Sequence, residues 1–108
     1  MKKLLIGLAL VASAAHAEFY SGNELLSRMQ SSEQVDRMLA MGYIAGVVDA
    51  FNGVVMCAPP TVTLGQALDI VKLSMITKPQ NRHYSADSLI VLALKEVWPC
   101  PTKPKSSV

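Results

Sequence analysis

The sequence predicts an all-α protein, a small four-helix domain around a central helix, held by one disulfide. Three observations predict it. Apolar residues recur at helical spacing over long stretches, most fully from Val35 to Val55. Ser21 with Glu24, Ser31 with Gln34 and Thr63 with Gln66 each stand at the spacing that marks a helix start, ahead of an apolar periodic run. No stretch alternates apolar and polar residues as a half-buried strand would.

Taken in order, the chain of 108 residues opens Met1-Lys2-Lys3, then runs apolar from Leu4 to Val11, then ends a small-residue stretch in Ala15-His16-Ala17. That is the layout of a secretory signal peptide, cleaved after Ala17. An uncleaved anchor is the competing reading, but a spanning helix needs about 20 apolar residues. The expected divisions are therefore a leader at 1–17, a helical domain at 18–100 and a flexible tail at 101–108.

Without the leader the eight remaining Lys and Arg balance eight Asp and Glu, so the formal charge falls from +2 to zero. No basic stripe remains to neutralise phosphates, which argues against nucleic-acid binding.

Ser21 with Glu24 opens a short helix from Gly22 to about Met29, with Leu25, Leu26 and Met29 inward. Phe19 or Tyr20 is placed to staple onto its first turn. Ser31 with Gln34 opens the central helix. Wound at about 100° per residue, Leu39, Met41, Tyr43, Ile44, Val47, Val48, Phe51 and Val55 fill more than half of its circumference. A helix so widely apolar is expected to be covered from several sides. The remaining sector holds Gly42, Ala45, Gly46, Asp49 and Gly53. An interior glycine costs about 0.5–1 kcal/mol relative to Ala, so another backbone is expected to pack closely along Gly42 and Gly46.

Cys57-Ala58-Pro59-Pro60 then turns the chain, since proline lacks a donor and disfavours helix before it. Thr63 with Gln66 opens a third helix, whose face is Leu64, Ala67, Leu68, Val71 and Met75. Thr77 to Tyr84 breaks the period with a polar loop. Ser85 caps a last helix from Ala86 to about Trp98, nearly all apolar, so it is buried or meets a partner chain. Pro99 ends it. Cys57 and Cys100 are the two cysteines; an exported chain with an even count points to one disulfide, against two free thiols.

Catalytic chemistry is hard to build from these residues. His83 is the one histidine outside the leader, too few for a dedicated zinc site once the thiols are bonded. No nucleophile elbow, zinc-protease helix or phosphate-binding loop is present. Asp49 reads as a buried carboxylate bonded to a helix end or a Tyr hydroxyl, or else as an acid of raised pKa at a site. Met29, Met38, Met41, Met56 and Met75 read as core fillers rather than copper ligands. The expectation is no enzyme, no metal and no cofactor.

The run Gly42-Tyr43-Ile44-Ala45-Gly46-Val47-Val48-Asp49-Ala50, then Cys57 with Pro59 or Pro60, then Val62-Thr63-Leu64-Gly65-Gln66, then His83-Tyr84-Ser85-Ala86, then Ala93-Leu94 leading to Trp98-Pro99-Cys100-Pro101, resembles the Rap/Tai immunity family. The likeness covers almost the whole chain after the leader. It implies a small exported helical protein that works in the periplasm. Such a protein binds a peptidoglycan-amidase effector of a type VI secretion system, blocks its active site, and is often a homodimer. One feature departs from the family. Many members carry a second cysteine pair, where this chain has residues such as Arg28 and Ala40. The first helix is then expected to be held by packing alone.

The working surface of such an inhibitor is expected on a loop, because helices supply the scaffold. Lys78, Gln80, Asn81, Arg82 and His83 are the candidate partner-binding residues, with Arg82 the best anchor; a plain solvated turn is the competing reading. The alternative function is a small periplasmic chaperone-like or structural helper, for which the apolar last helix would serve clients. A hydrolase built on Asp49 is the third.

Overall fold

The structure, a computed structural model, describes residues 19–102. Four helices follow one another in it: α1 (Gly22–Met29), α2 (Gln34–Phe51), α3 (Leu64–Thr77) and α4 (Ala86–Val97). A single 3-10 turn at Pro79–Asn81 lies between α3 and α4. The described residues contain no strand, only isolated bridges between Ser21 and Ser85 and between Asn52 and Met56. The fold is all-α, as the sequence predicts. The expected leader lies outside the described residues, as does the tail beyond Thr102.

α1 begins where its capping box places it. Ser21 Oγ accepts from the Glu24 amide at 3.1 Å, and Glu24 Oε1 accepts from the Ser21 amide at 3.0 Å. A helix start leaves further amides without intrahelical partners. Here the Gly22 amide donates to the Tyr84 carbonyl at 2.9 Å and the Asn23 amide to the Arg82 carbonyl at 2.8 Å. The loop before α4 thus completes the first turn of α1. Gly22 is buried there, and a Cβ on it would stand 2.9 Å from the Arg82 carbonyl oxygen and run into the Leu89 side chain. Of the two candidate staples, Phe19 is exposed, while Tyr20 is half-buried and meets the Tyr43 ring edge-on at 4.9 Å.

The second capping box does not form. The cap of α2 is Glu33, with no side-chain bond to the helix. Ser31 Oγ instead accepts from the Glu33 amide at 3.0 Å and donates to Asp36 Oδ2 at 2.8 Å. Asp36 Oδ1 also takes Arg28 Nη1 of α1 at 3.0 Å, and the Arg28 guanidinium lies 5.2 Å from the Tyr20 ring centroid. α1 is therefore held by more than packing. Both side chains of the ion pair are about a third exposed, which keeps its worth to about 1 kcal/mol or less.

α2 stops at Phe51, short of the predicted Val55. Asn52 turns extended, and Gly53 takes a φ of 88°, a conformation that suits glycine. Its amide donates back to the Met56 carbonyl at 2.6 Å. The expectation that α2 is wrapped from several sides is overturned. Only Ala40, Ile44 and Val47 are buried along it, while Val35, Met38, Leu39 and Met41 are exposed. Nor, among the described residues, does any backbone pack along its glycines: a Cβ at Gly42 or Gly46 would meet nothing within 4 Å. The apolar arc is as wide as predicted, but the described residues cover only one side of it. Met38 and Met41 are thus surface residues, whereas Met56 and Met75 are core.

The core is shared rather than centred on α2. Leu25 of α1, Ile44 of α2, Val71 of α3, Ile90 and Leu94 of α4, and Met56 from the connector are all fully buried. α3 opens with its predicted box: Thr63 Oγ1 accepts from the Gln66 amide at 3.1 Å, and Gln66 Oε1 from the Thr63 amide at 2.8 Å. Ala67, Val71 and Met75 point inward; Leu64 lies at the surface. Ser85 occupies the cap position of α4, but its hydroxyl pairs with that of Ser88 rather than with an amide. Ala86, Ile90, Ala93 and Leu94 form the buried face of α4, leaving Leu92 and Val97 outside.

Cys57 and Cys100 are bonded, with Cα atoms 4.7 Å apart and a sequence separation of 43. The Cys57 amide also donates to the Trp98 carbonyl at 2.8 Å. Closing a loop of that length stabilises the fold by about 4 kcal/mol on a chain-entropy model.

The close contact at Gly22 gives a direct test. Gly22→Ala is expected to lose about 1–3 kcal/mol, read as a lower urea midpoint; an unchanged midpoint would contradict the α1–loop contact.

Candidate protein-binding site

The predicted loop is an ordered knuckle between α3 and α4. Its backbone turns on itself: the Asn81 amide donates to Lys78 O at 3.1 Å, Arg82 to Pro79 O at 3.3 Å and Tyr84 to Asn81 O at 3.0 Å. Pro79 stands at the first position of the 3-10 turn, where its fixed φ fits and its missing amide is no loss. The Gly22 and Asn23 amides then hold the far end of the loop to α1.

The five candidate residues divide into those that build the knuckle and those that face outward. Arg82 belongs to the first group. It is half-buried, its Nη1 donates to the Met75 carbonyl at 3.2 Å, and its Nε is buried with no partner among the described residues. Its guanidinium therefore satisfies the end of α3 rather than standing free as an anchor. Lys78 is half-buried, with Nζ 3.4 Å from Glu96 Oε1 of α4. Asn81 is half-buried and lends its carbonyl to the turn. Gln80 and His83 are exposed.

Tyr84 is the residue the sequence reading passed over. It is 54% exposed, and its ring lies 4.2 Å from that of His83, tilted by 36°. An aromatic residue inside a polar loop was the available signal. A rigid amphipathic ring presented on a fixed backbone is a good contact for another protein, because little conformational freedom is lost on binding. Beside the knuckle an open groove of about 500 Å³ runs between α3 and α4, lined by Ser74, Lys78, Asn81, Leu89, Leu92 and Glu96.

Asp49 is neither buried nor bonded to a helix end. It is exposed on α2, at the rim of a second groove of about 370 Å³ whose floor includes Val48, Met56, Leu94 and Trp98. Among the described residues no three His, Cys, Asp or Glu side chains gather as metal ligands would. No helix among them is long and apolar enough to cross a membrane.

The division of labour is checked by stability. Arg82→Ala is expected to cost about 1–3 kcal/mol, since it strands the Met75 carbonyl and removes packing. Gln80→Ala is expected to stay within about 0.5 kcal/mol of the parent. Equal effects in urea unfolding would contradict the assignment.

An exposed aromatic pair and an open groove thus lie side by side on a helical scaffold. No curated protein matches the chain. The family model of the Rap1a immunity proteins matches residues 21–100, which takes in all four helices, the knuckle and both cysteines. The chain therefore belongs to the family of Rap1a immunity proteins.

Proposed function

We propose that this protein is exported by its leader to the periplasm, where it neutralises a peptidoglycan-amidase effector of a type VI secretion system. It binds the effector as a homodimer and occludes the active site, and performs no catalysis of its own. The observation that carries this reading is the knuckle at 78–84. Gln80, His83 and Tyr84 project from a backbone that is bonded at both ends to the helical frame. A short stiff loop can enter a cleft without first being ordered, which lowers the cost of binding. In this arrangement Tyr84 is the anchor and His83 supports its ring. Gln80 supplies polar contacts, while Arg82 and Lys78 hold the platform rather than the partner.

The test is co-expression of the exported chain with an amidase effector directed to the periplasm, alongside affinity measured with purified proteins. The intact chain is expected to restore growth and to form a complex. The triple variant Gln80→Ala, His83→Ala, Tyr84→Ala is expected to keep its unfolding midpoint yet lose about 2 kcal/mol or more of binding, about a thirtyfold rise in Kd. Undiminished protection by that variant, or no complex with any such effector, would overturn the reading.

A further inference from the structure

We propose that the chain fills one of its own grooves. The segment Lys103-Pro104-Lys105 docks in the cleft beside Asp49, with Pro104 against the Trp98 ring and Lys105 on the Asp49 carboxylate. This stands apart from the effector reading, since no residue of the knuckle lines that groove.

The groove is the one of about 370 Å³ bounded by α2, the α2–α3 connector and the end of α4. Ligand-holding clefts run from about 300 to 1,000 Å³, so it has room for a short peptide. Its walls are apolar: Val48 of α2, Pro59 and Pro60 of the connector, Leu94 of α4 and Trp98 beyond it. Trp98 is half-buried and gives part of its surface to the groove. Asp49 is exposed at the rim, and no other lining residue carries a charge. Its carboxylate has no partner among the described residues.

Such a groove suits a short segment that carries a cation next to a flat apolar group. The chain supplies one where it is needed. After Cys100 it reads Pro101-Thr102-Lys103-Pro104-Lys105, and no acidic residue follows. Cys100 is bonded to Cys57, which stands between two groove-lining residues, Met56 and Ala58. The Ala58 amide donates to Asn52 Oδ1 at 2.9 Å. Asn52 lies one turn beyond Asp49, about 4.5 Å along the helix. The segment therefore starts on the groove wall. An extended chain covers about 3.3 Å per residue, so Lys105 reaches about 16 Å from Cys100 before its side chain is added. That is enough to follow the wall from the bridge past Asn52 to Asp49. Pro101 and Pro104 are three residues apart, the repeat of a polyproline II turn. Segments of that form meet aromatic-lined grooves with little conformational freedom left to lose. An exposed Asp–Lys pair is weak by itself. A short tether compensates, because it holds the segment at an effective concentration in about the millimolar range. A free peptide of the same chemistry would compete poorly with it.

Trp98 is the single tryptophan of the chain, so its fluorescence reads the groove directly. The experiment uses the oxidised protein without any effector. Two variants remove the contact: a chain ending at Thr102, and the full chain with Lys103→Gln and Lys105→Gln. Both are expected to keep a cooperative urea transition, while Trp98 emission shifts to longer wavelength and acrylamide quenches it more strongly. Asp49→Lys is expected to open the groove in the same way. Adding Lys103→Asp and Lys105→Asp to Asp49→Lys is expected to restore the protected emission. Quenching of the full chain equal to that of the shortened one would overturn the proposal, as would a charge exchange that restores nothing. Protection lost on dilution would also overturn it, by giving the groove to the tail of a second copy. None of these readings involves the effector, so this proposal and the effector reading fail separately.

Discussion

The start of α1 and the loop before α4 are one structural unit, and the rest of the domain depends on their junction. Two amides that a helix start cannot satisfy by itself, those of Gly22 and Asn23, donate to the carbonyls of Tyr84 and Arg82. The approach is possible because position 22 has no Cβ. The Ala86 amide donates in return to the Tyr20 carbonyl at 2.8 Å. The first and last helices are thereby fixed to each other at one end, and the Cys57–Cys100 bridge fixes α4 to the α2–α3 connector at the other. Between these two ties lies the buried set of Leu25, Ile44, Met56, Val71, Ile90 and Leu94. A knuckle so anchored moves with the core, and for that reason it can serve as a preformed contact.

α1 is tied to α2 by side chains as well as by packing. Arg28 stands in the last turn of α1, facing α2. It reaches across to Asp36, while Ser31 takes the other carboxylate oxygen and Tyr20 covers the guanidinium. Ala40 faces the core and is almost fully buried. An exposed ion pair is weaker than a covalent bridge. The stability of α1 in this chain therefore falls mainly on Leu25, Leu26 and the bonds at Ser21, Gly22 and Asn23.

Much of the fold was legible because local chemistry agreed with the tertiary answer. Ser21 with Glu24 and Thr63 with Gln66 form the boxes their spacing announces, and Pro99 ends α4 where proline must. Ser31 with Gln34 shows the limit: the same signature failed because Asp36 and the Glu33 amide took the hydroxyl. The breadth of the apolar arc on α2 was also read correctly, but breadth does not say which molecule covers it. The site was legible as a break in helical period and little more. Arg82 looked like an anchor because guanidinium groups often are, yet the Met75 carbonyl claims it. Tyr84 acquires its meaning only from its exposure and from the ring of His83.

The rigidity of the knuckle is the claim on which the proposed mode of action stands, and amide hydrogen exchange tests it most directly. Gly22 and Asn23 lie at a helix start, where amides ordinarily exchange early because the end frays. If their carbonyl partners in the loop hold them as described, both are expected to exchange only through opening close to global unfolding, together with Leu25 and Ile90. Exchange of Gly22 and Asn23 at the rate of an unprotected terminus would contradict the account, because the loop would then be free of α1 and no longer preformed.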